Sequence, residues 1–428
     1  MAAHELSELR SGERVISEPV PGVRSVALGF WIGAGSRDEP DARAGVSHFI
    51  EHLLFKGSSR YSAQEIAEIF DELGGELNAA TSRETTVVYA RVPDERLETA
   101  VDVMADMVFH PTFTDVDSER EVVLEEIAMV EDTPHDLVHD IAAEAVFGTH
   151  PLGRPVIGRA EVISSVSRRG LSAYHRRAYG SERIVVAAAG NVRHRELVAM
   201  LEARRESLAE GNGLPPRKAV RRLPGPRLRF QQKDTEQFHV CLGAPGISRT
   251  DERRFAASIL DAIVGGSASS RLFQEIREKR GMAYSVYSYS SQYSDSGQVG
   301  FYVGTREDNV AECLEIAVAE LSDLAGGRVT TEELARAKEN LKGRLLLSLE
   351  STSNRMTRLG KATVTDTPLL SVEEVVRRLE AVRAEEVSAL AATLFAPDRL
   401  SAAGIGPSEK RFREAVARIN PELLSEAA

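Results

Sequence analysis

Gly45-Val-Ser-His48-Phe-Ile-Glu51-His52-Leu-Leu-Phe-Lys-Gly57 sets two imidazoles and a carboxylate inside an otherwise apolar run. On a helix, His48, Glu51 and His52 stand at i, i+3 and i+4, so all three share one face and reach one small target. Phe49, Ile50, Leu53, Leu54 and Phe55 bury most of the remaining surface of such a helix. A polar cluster in that setting is costly without a partner, and a cation supplies one. Two imidazoles one turn apart can bind Zn²⁺, and the carboxylate between them can take a proton from water. The order His-x-x-Glu-His reverses the commoner His-Glu-x-x-His.

Outward from this stretch, residues 14–33 alternate as a strand, with Val26, Leu28, Phe30 and Ile32 on one face, and lead through Gly33-Ala-Gly-Ser36 into the motif helix. Ser62-Ala-Gln-Glu65 is a capping box that opens a helix through Leu73, which Gly74-Gly75 ends. Residues 76–92 read as a strand, small and polar at Asn78 to Ser82, where it is either an ordinary edge or one that accepts a peptide as an added strand.

Helical patterns follow at 94–109, about 115–131 and 136–147. The middle one is acidic, with Glu119, Glu121, Glu125, Glu126 and Glu131 among apolar residues. A solvated face is the plain reading for Glu121, Glu125 and Glu131. Yet two histidines leave a catalytic zinc short of its usual third protein ligand, which a glutamate from a second helix can supply. Sequence spacing does not choose among these glutamates. His135 and His139, beside Asp136 and Asp140, are expected on a solvated helix face.

Residues 183–190 form an apolar strand, a helix is expected at 194–208, and 209–226 then holds the Gly and Pro of a linker. The second half repeats the plan. A strand at 237–244 precedes a helix at 251–264, and Leu400-Ser-Ala-Ala-Gly-Ile-Gly406 echoes Val185-Val-Ala-Ala-Ala-Gly-Asn191. The expected organisation is therefore a domain at 1–208, a linker at 209–226, and a homologous domain at 227–428 whose corresponding helix has no histidine. Residues 285–294 alternate as a strand.

With 428 residues, 42% hydrophobic and 28% charged, the chain has ample material for two cores. A net charge of −12 argues against nucleic acid, whose phosphates need clustered Lys and Arg. Two cysteines, Cys241 and Cys313, make no disulfide framework and fit a reducing cytoplasm. The first residues lack the pattern of a signal peptide and no window approaches 18 apolar residues, so a soluble, unexported protein with no membrane partner is expected.

The sequence resembles the pitrilysin, insulinase and mitochondrial processing peptidase family of zinc metallopeptidases, the inverzincins, and most of all its short bacterial members similar to the processing peptidase β subunit. The residues that carry the resemblance are His48-x-x-Glu51-His52, Gly74-Gly-Glu-Leu-Asn-Ala-Ala-Thr81, Glu119-Arg-Glu-Val-Val-Leu-Glu-Glu-Ile127, Pro151-Leu-Gly-Arg-Pro-Val-Ile-Gly158 and Ser270 through Ser285. It implies two homologous α+β domains, each a mostly antiparallel sheet covered by helices. It implies one Zn²⁺ per chain on His48, His52 and Glu126, with Glu51 as general base and Glu119 as the essential glutamate seven residues before the third ligand. Asn78 and Ala79 match the strand that binds substrate main chain, and Arg277 and Tyr284 match a pair that reaches the substrate. The implied activity is endopeptidase cleavage of unfolded peptides in a closed chamber, by a homodimer. Two alternatives are the catalytic half of a heterodimer with a motif-less partner, and a structural subunit without peptidase activity.

Overall fold

The computed structural model describes residues 4–204, 213–220 and 225–424. The chain forms two compact units: Met1–Ala128 with Pro155–Arg217 and Leu346–Leu369, and Met129–Arg154 with Lys218–Leu345 and Leu370–Ala428.

The first unit is built on a sheet of six strands: β1 (Glu5–Glu8), β2 (Arg14–Pro19), β3 (Ser25–Ile32), β4 (Glu76–Thr81), β5 (Thr86–Pro93) and β6 (Ile184–Gly190), in the order β1-β2-β6-β3-β5-β4. Only β2 and β6 pair in parallel. The alternating stretches 14–33 and 76–92 each turn out to be two strands. The first breaks near Gly22, whose φ is 85°. The second is a hairpin with no Gly or Pro at its turn, held by Ser82 N–H to Thr85 O at 2.7 Å and by the Ser82 hydroxyl to the same oxygen at 2.9 Å. Side-chain hydrogen bonding makes this turn where no residue type announced one. β4 is left on the edge of the sheet, paired only with β5.

Period-two alternation puts Val26, Leu28, Phe30 and Ile32 of β3 against the helices of one face, including the helix Val46–Leu54, as the sequence pattern required. The other face carries Ile16, Ala27, Trp31, Val87, Val185, Ala187 and Ala189, and is covered by Met356, Leu359 and Val364 of the helix Thr352–Val364. That helix approaches closely: a Cβ on Gly360 would lie 2.0 Å from the Trp31 indole nitrogen.

The second unit has β7 (Leu228–Gln232), β8 (Phe238–Gly246), β9 (Ala283–Gln292), β10 (Gly297–Thr305) and β11 (Ser401–Gly406), in the order β7-β11-β8-β10-β9. Again a single pair, β7 with β11, is parallel. Exchanging β2, β6, β3, β5 and β4 for β7, β11, β8, β10 and β9 converts one sheet order into the other, with β1 an addition. The two units are therefore homologous in topology, and Gly190 and Gly404 lie on equivalent strands. One face of this sheet packs into the main core of the unit; the other, with Cys241, Tyr302, Ala403 and Ile405, lies under Val138 and Ala142 of the helix Pro134–Phe147.

Each sheet is thus covered on one face by a helix from the other half of the sequence. This corrects the division into 1–208 and 227–428: the strands obey it, and the two covering helices do not. A sheet apolar on both faces must be covered on both, but chain order does not say which helix covers it. The linker 209–226 lies partly outside the described residues; within it Arg217 belongs to the first unit, donating to Asp38 Oδ1 at 2.8 Å and to Glu84 O at 2.7 Å, and Lys218 belongs to the second. The helix expected at 194–208 runs over His194–Ala203, and 205–208 are outside the described residues.

His135 and His139 are only partly solvated, His135 more than His139. His139 packs against Tyr287, Tyr289 and Tyr302, and His135 against Tyr287 and Tyr302, because this helix turns its histidines onto the aromatic side chains of the sheet. No described helix is long and apolar enough to cross a membrane.

Candidate metal site

The motif helix starts at Gly45, whose φ of 98° is open to glycine at little strain. A side chain there would also strike the backbone of Ile157 and Gly158, at 2.6 and 2.7 Å. The buried Glu39 carboxylate accepts from Gly45 N–H at 2.8 Å and from Ser47 N–H at 2.6 Å. It satisfies the free N–H groups at the positive end of the helix dipole. Val46, Phe49, Ile50, Leu53 and Leu54 are buried, so the remaining face, with His48, Glu51 and His52, is held in one orientation.

The helix Val116–Glu131 buries Val116, Glu119, Val123 and Ile127. That periodicity decides among its glutamates. Glu121, Glu125 and Glu131 are exposed, while Glu126 turns toward the histidines. Its Oε2 stands 3.3 Å from His52 Nε2 and 3.6 Å from His48 Nε2. Ligands on one tetrahedral zinc at bond lengths of roughly 2.0–2.1 Å would lie about 3.3–3.4 Å apart. Among the described residues His48, His52 and Glu126 are the one His, Cys or carboxylate group whose ligand atoms all fall within 4.8 Å of one another. Two neutral imidazoles and one carboxylate are a donor set that zinc takes, so the residues fit the ion.

Glu119 does a different job. Its Oε1 accepts from His52 Nδ1–H at 2.9 Å and its Oε2 takes Lys56 Nζ at 2.7 Å. The carboxylate fixes the His52 tautomer so that the Nε2 lone pair faces Glu126. His48 has no such support, since its Nδ1 is buried without a hydrogen-bond partner. Burial, then the neighbouring His52, holds the His48 pKa down to about 4, which keeps this imidazole neutral and able to ligate. Glu51 is held by hydrogen bonds from the Thr81 side chain and backbone at the end of β4, and burial raises its pKa. Its Oε2 is buried without a hydrogen-bond partner, which leaves a lone pair available.

Residues 14–160 match the model of the insulinase family, peptidase family M16, and residues 165–341 match that of the M16 inactive domain. The chain belongs to the insulinase family of M16 peptidases. An uncharacterized zinc protease of Mycobacterium leprae is 44% identical over 404 residues, 93% of this chain and 91% of its own length. One from Bacillus subtilis is 42% identical over 394 residues, 91% of this chain and 95% of its own. A solved protease from Helicobacter pylori, 22% identical, superposes with a TM-score of 0.89 over 95% of this chain and 100% of its own, which shows the shared two-unit fold. The M16 family match to the first part of the chain contains all three candidate ligands.

The remaining site residues fall outside this cluster. Asn78 and Ala79 lie on the open edge strand β4, where the Asn78 side-chain oxygen accepts from Ala79 N–H at 2.8 Å. Arg277 and Tyr284 belong to the second unit, with the Arg277 guanidinium 4.4 Å from the centre of the Tyr284 ring and 4.7 Å from that of Phe273. Tyr284 is 79% exposed, the most open large apolar side chain described. Sequence reading missed Glu39, Lys56 and Thr81. Lys56 stands at i+4 from His52 and could have been found; the other two are brought in from separate elements and leave no local pattern.

Proposed function

We propose that this M16 family member is a zinc endopeptidase that cleaves unfolded peptides. The observation that carries the reading is the convergence of His48, His52 and Glu126 on one point, with Glu51 on the same helix face and in electrostatic contact with His52 and Glu126. The names of the relatives, zinc proteases at 42–44% identity, support it. One zinc per chain on these residues would supply Lewis acidity at the scissile carbonyl and lower the pKa of water toward about 7.

Glu51 takes the proton of the attacking water on its free oxygen and hands it to the leaving amine. Its raised pKa places it nearer the pH at which such exchange is efficient. Glu119 acts through His52 and is a positioning residue. A substrate main chain adds to β4 at Asn78 and Ala79, an edge that already carries an N–H outside the ladder. Arg277 and Tyr284 would donate to the oxyanion, on the strength of the family resemblance and of their exposed, mutually stacked arrangement. We further propose a cytoplasmic homodimer that closes a chamber around the peptide.

The experiment is zinc content and cleavage of a quenched fluorescent peptide library by the wild type and by Glu51→Gln. At least one equivalent of zinc in both, with cleavage by the wild type alone, supports the reading. Zinc without cleavage in the wild type points to the heterodimer with a motif-less partner. Absence of zinc in the wild type overturns the peptidase reading in favour of a structural subunit.

A further inference from the structure

The second unit holds another cluster of ligand-type side chains, which the peptidase chemistry does not use. His135 and His139, one turn apart on the helix Pro134–Phe147, both direct Nε2 at the hydroxyl of Tyr287 on β9, at 3.1 and 2.8 Å. At bonds of roughly 2.0–2.1 Å, two ligands on one ion stand about 2.9 Å apart at a right angle and about 3.4 Å apart at the tetrahedral angle, so these separations suit the right angle of a tetragonal ion. A phenol carries one O–H, so it donates to one imidazole and must accept from the other; a cation in their midst would satisfy both nitrogens and the oxygen alike.

The surroundings are those of supported ligands. His135 Nδ1 faces Asp136 Oδ1 at 3.2 Å, the carboxylate–histidine pairing that orients a ligating Nε2. His139 Nδ1 faces Cys241 Sγ at 3.8 Å, a weaker partner of the same kind. Tyr302 stacks on Tyr287 with ring centroids 5.0 Å apart and fixes the phenol, while its own hydroxyl is taken by His239 Nδ1 at 2.8 Å. The His135 side chain is 44% exposed, so solvent reaches this ligand.

We propose that His135, His139 and Tyr287 form a second metal site, for a divalent borderline cation such as Cu²⁺ or Zn²⁺, separate from His48, His52 and Glu126. Two imidazoles and a phenolate suit these ions, with Cu²⁺ held more tightly than Zn²⁺. On binding, the phenol loses its proton to solvent. His135 keeps its proton on Nδ1, toward Asp136, and His139, which had donated from Nε2, carries its proton on Nδ1 instead, toward Cys241. Because two ligands lie on the helix and one on β9, the ion would staple the helix Pro134–Phe147 to its sheet.

The test uses the full-length chain with His48→Ala and His52→Ala, which removes the first site, and loads it with Zn²⁺ or Cu²⁺. One equivalent bound, with a rise in thermal midpoint, is the expected result, against two equivalents in the wild type. Tyr287→Phe should weaken binding at the second site at least tenfold, and Asp136→Asn roughly tenfold. No metal on the His48/His52 variant, or two equivalents retained by His135→Asn/His139→Asn, overturns the proposal. Should the His48/His52 variant not fold, copper-loaded wild type decides. A visible phenolate-to-copper absorption lost in Tyr287→Phe supports the site, and its absence from the wild type overturns it. Neither outcome touches His48, Glu51, His52 and Glu126, which lie in the other unit.

Discussion

Glu119 accepts the Nδ1–H of His52 at 2.9 Å while Lys56 holds its other oxygen at 2.7 Å. A carboxylate can only accept, so the imidazole is locked with its Nε2 lone pair turned to Glu126. Glu119→Gln offers an amide in place of that charge and frees the tautomer. Zinc affinity, measured by competition with a chelator, should fall by about 10–100-fold, and activity lost at low zinc should return at high zinc. Glu126→Gln removes a ligand and should not recover in the same way. Equal behaviour of the two variants would argue against a positioning role for Glu119.

The open edge of β4 predicts a binding defect without a metal defect. Ala79→Pro deletes the N–H that the Asn78 side chain now caps, and a proline on an edge strand does not break the pairing with β5 if that N–H faces outward. KM for peptides should rise several-fold at unchanged zinc content. A normal KM would move the substrate away from this strand.

Trp31 is the single tryptophan of the chain and donates its indole N–H to the Met356 sulfur at 3.4 Å. Its fluorescence therefore reports whether the helix Thr352–Val364 is seated. Gly360→Val drives a side chain into the indole, and overpacking of this kind costs about 1–3 kcal/mol. The urea midpoint of the tryptophan signal should drop accordingly. A fragment ending at residue 217 lacks the helix altogether; its emission should shift to the red and it should bind an apolar dye.

His175 is buried, its Nε2 bonded to Val108 O at 2.9 Å, and burial, partly opposed by this hydrogen bond, holds its pKa at about 4 against roughly 6.5 in the unfolded chain. Between those values the unfolded chain binds a proton that the folded chain excludes, so stability rises with pH. The contribution is complete above about pH 6.5 and is lost as pH falls toward 4, up to about 3 kcal/mol. His175→Gln should flatten that part of the profile of thermal midpoint against pH. His48 and His139 shift in the same direction, so some slope should persist in the variant.

Local pattern determined much of this protein. Helical spacing put His48, Glu51 and His52 on one face, the Ser62–Glu65 capping box and Gly74 bounded the next helix as read, and period-two alternation sorted β3 into its two faces. Each of these depends on residues within a turn or two of one another, which is the range over which a sequence is its own geometry. The duplication was also legible, because matching strands keep matching residues such as Gly190 and Gly404. Tertiary structure decided the rest. Five glutamates on one helix are equivalent as spacing, and only the packing of Val116, Val123 and Ile127 turns Glu126 to the histidines and Glu119 behind them. Likewise no pattern says that the helix Thr352–Val364 covers the first sheet, or that His135 and His139 meet a tyrosine 148 or more residues away. Those pairings are set by which apolar face remains uncovered when the chain collapses, a property of the whole fold and of no stretch within it.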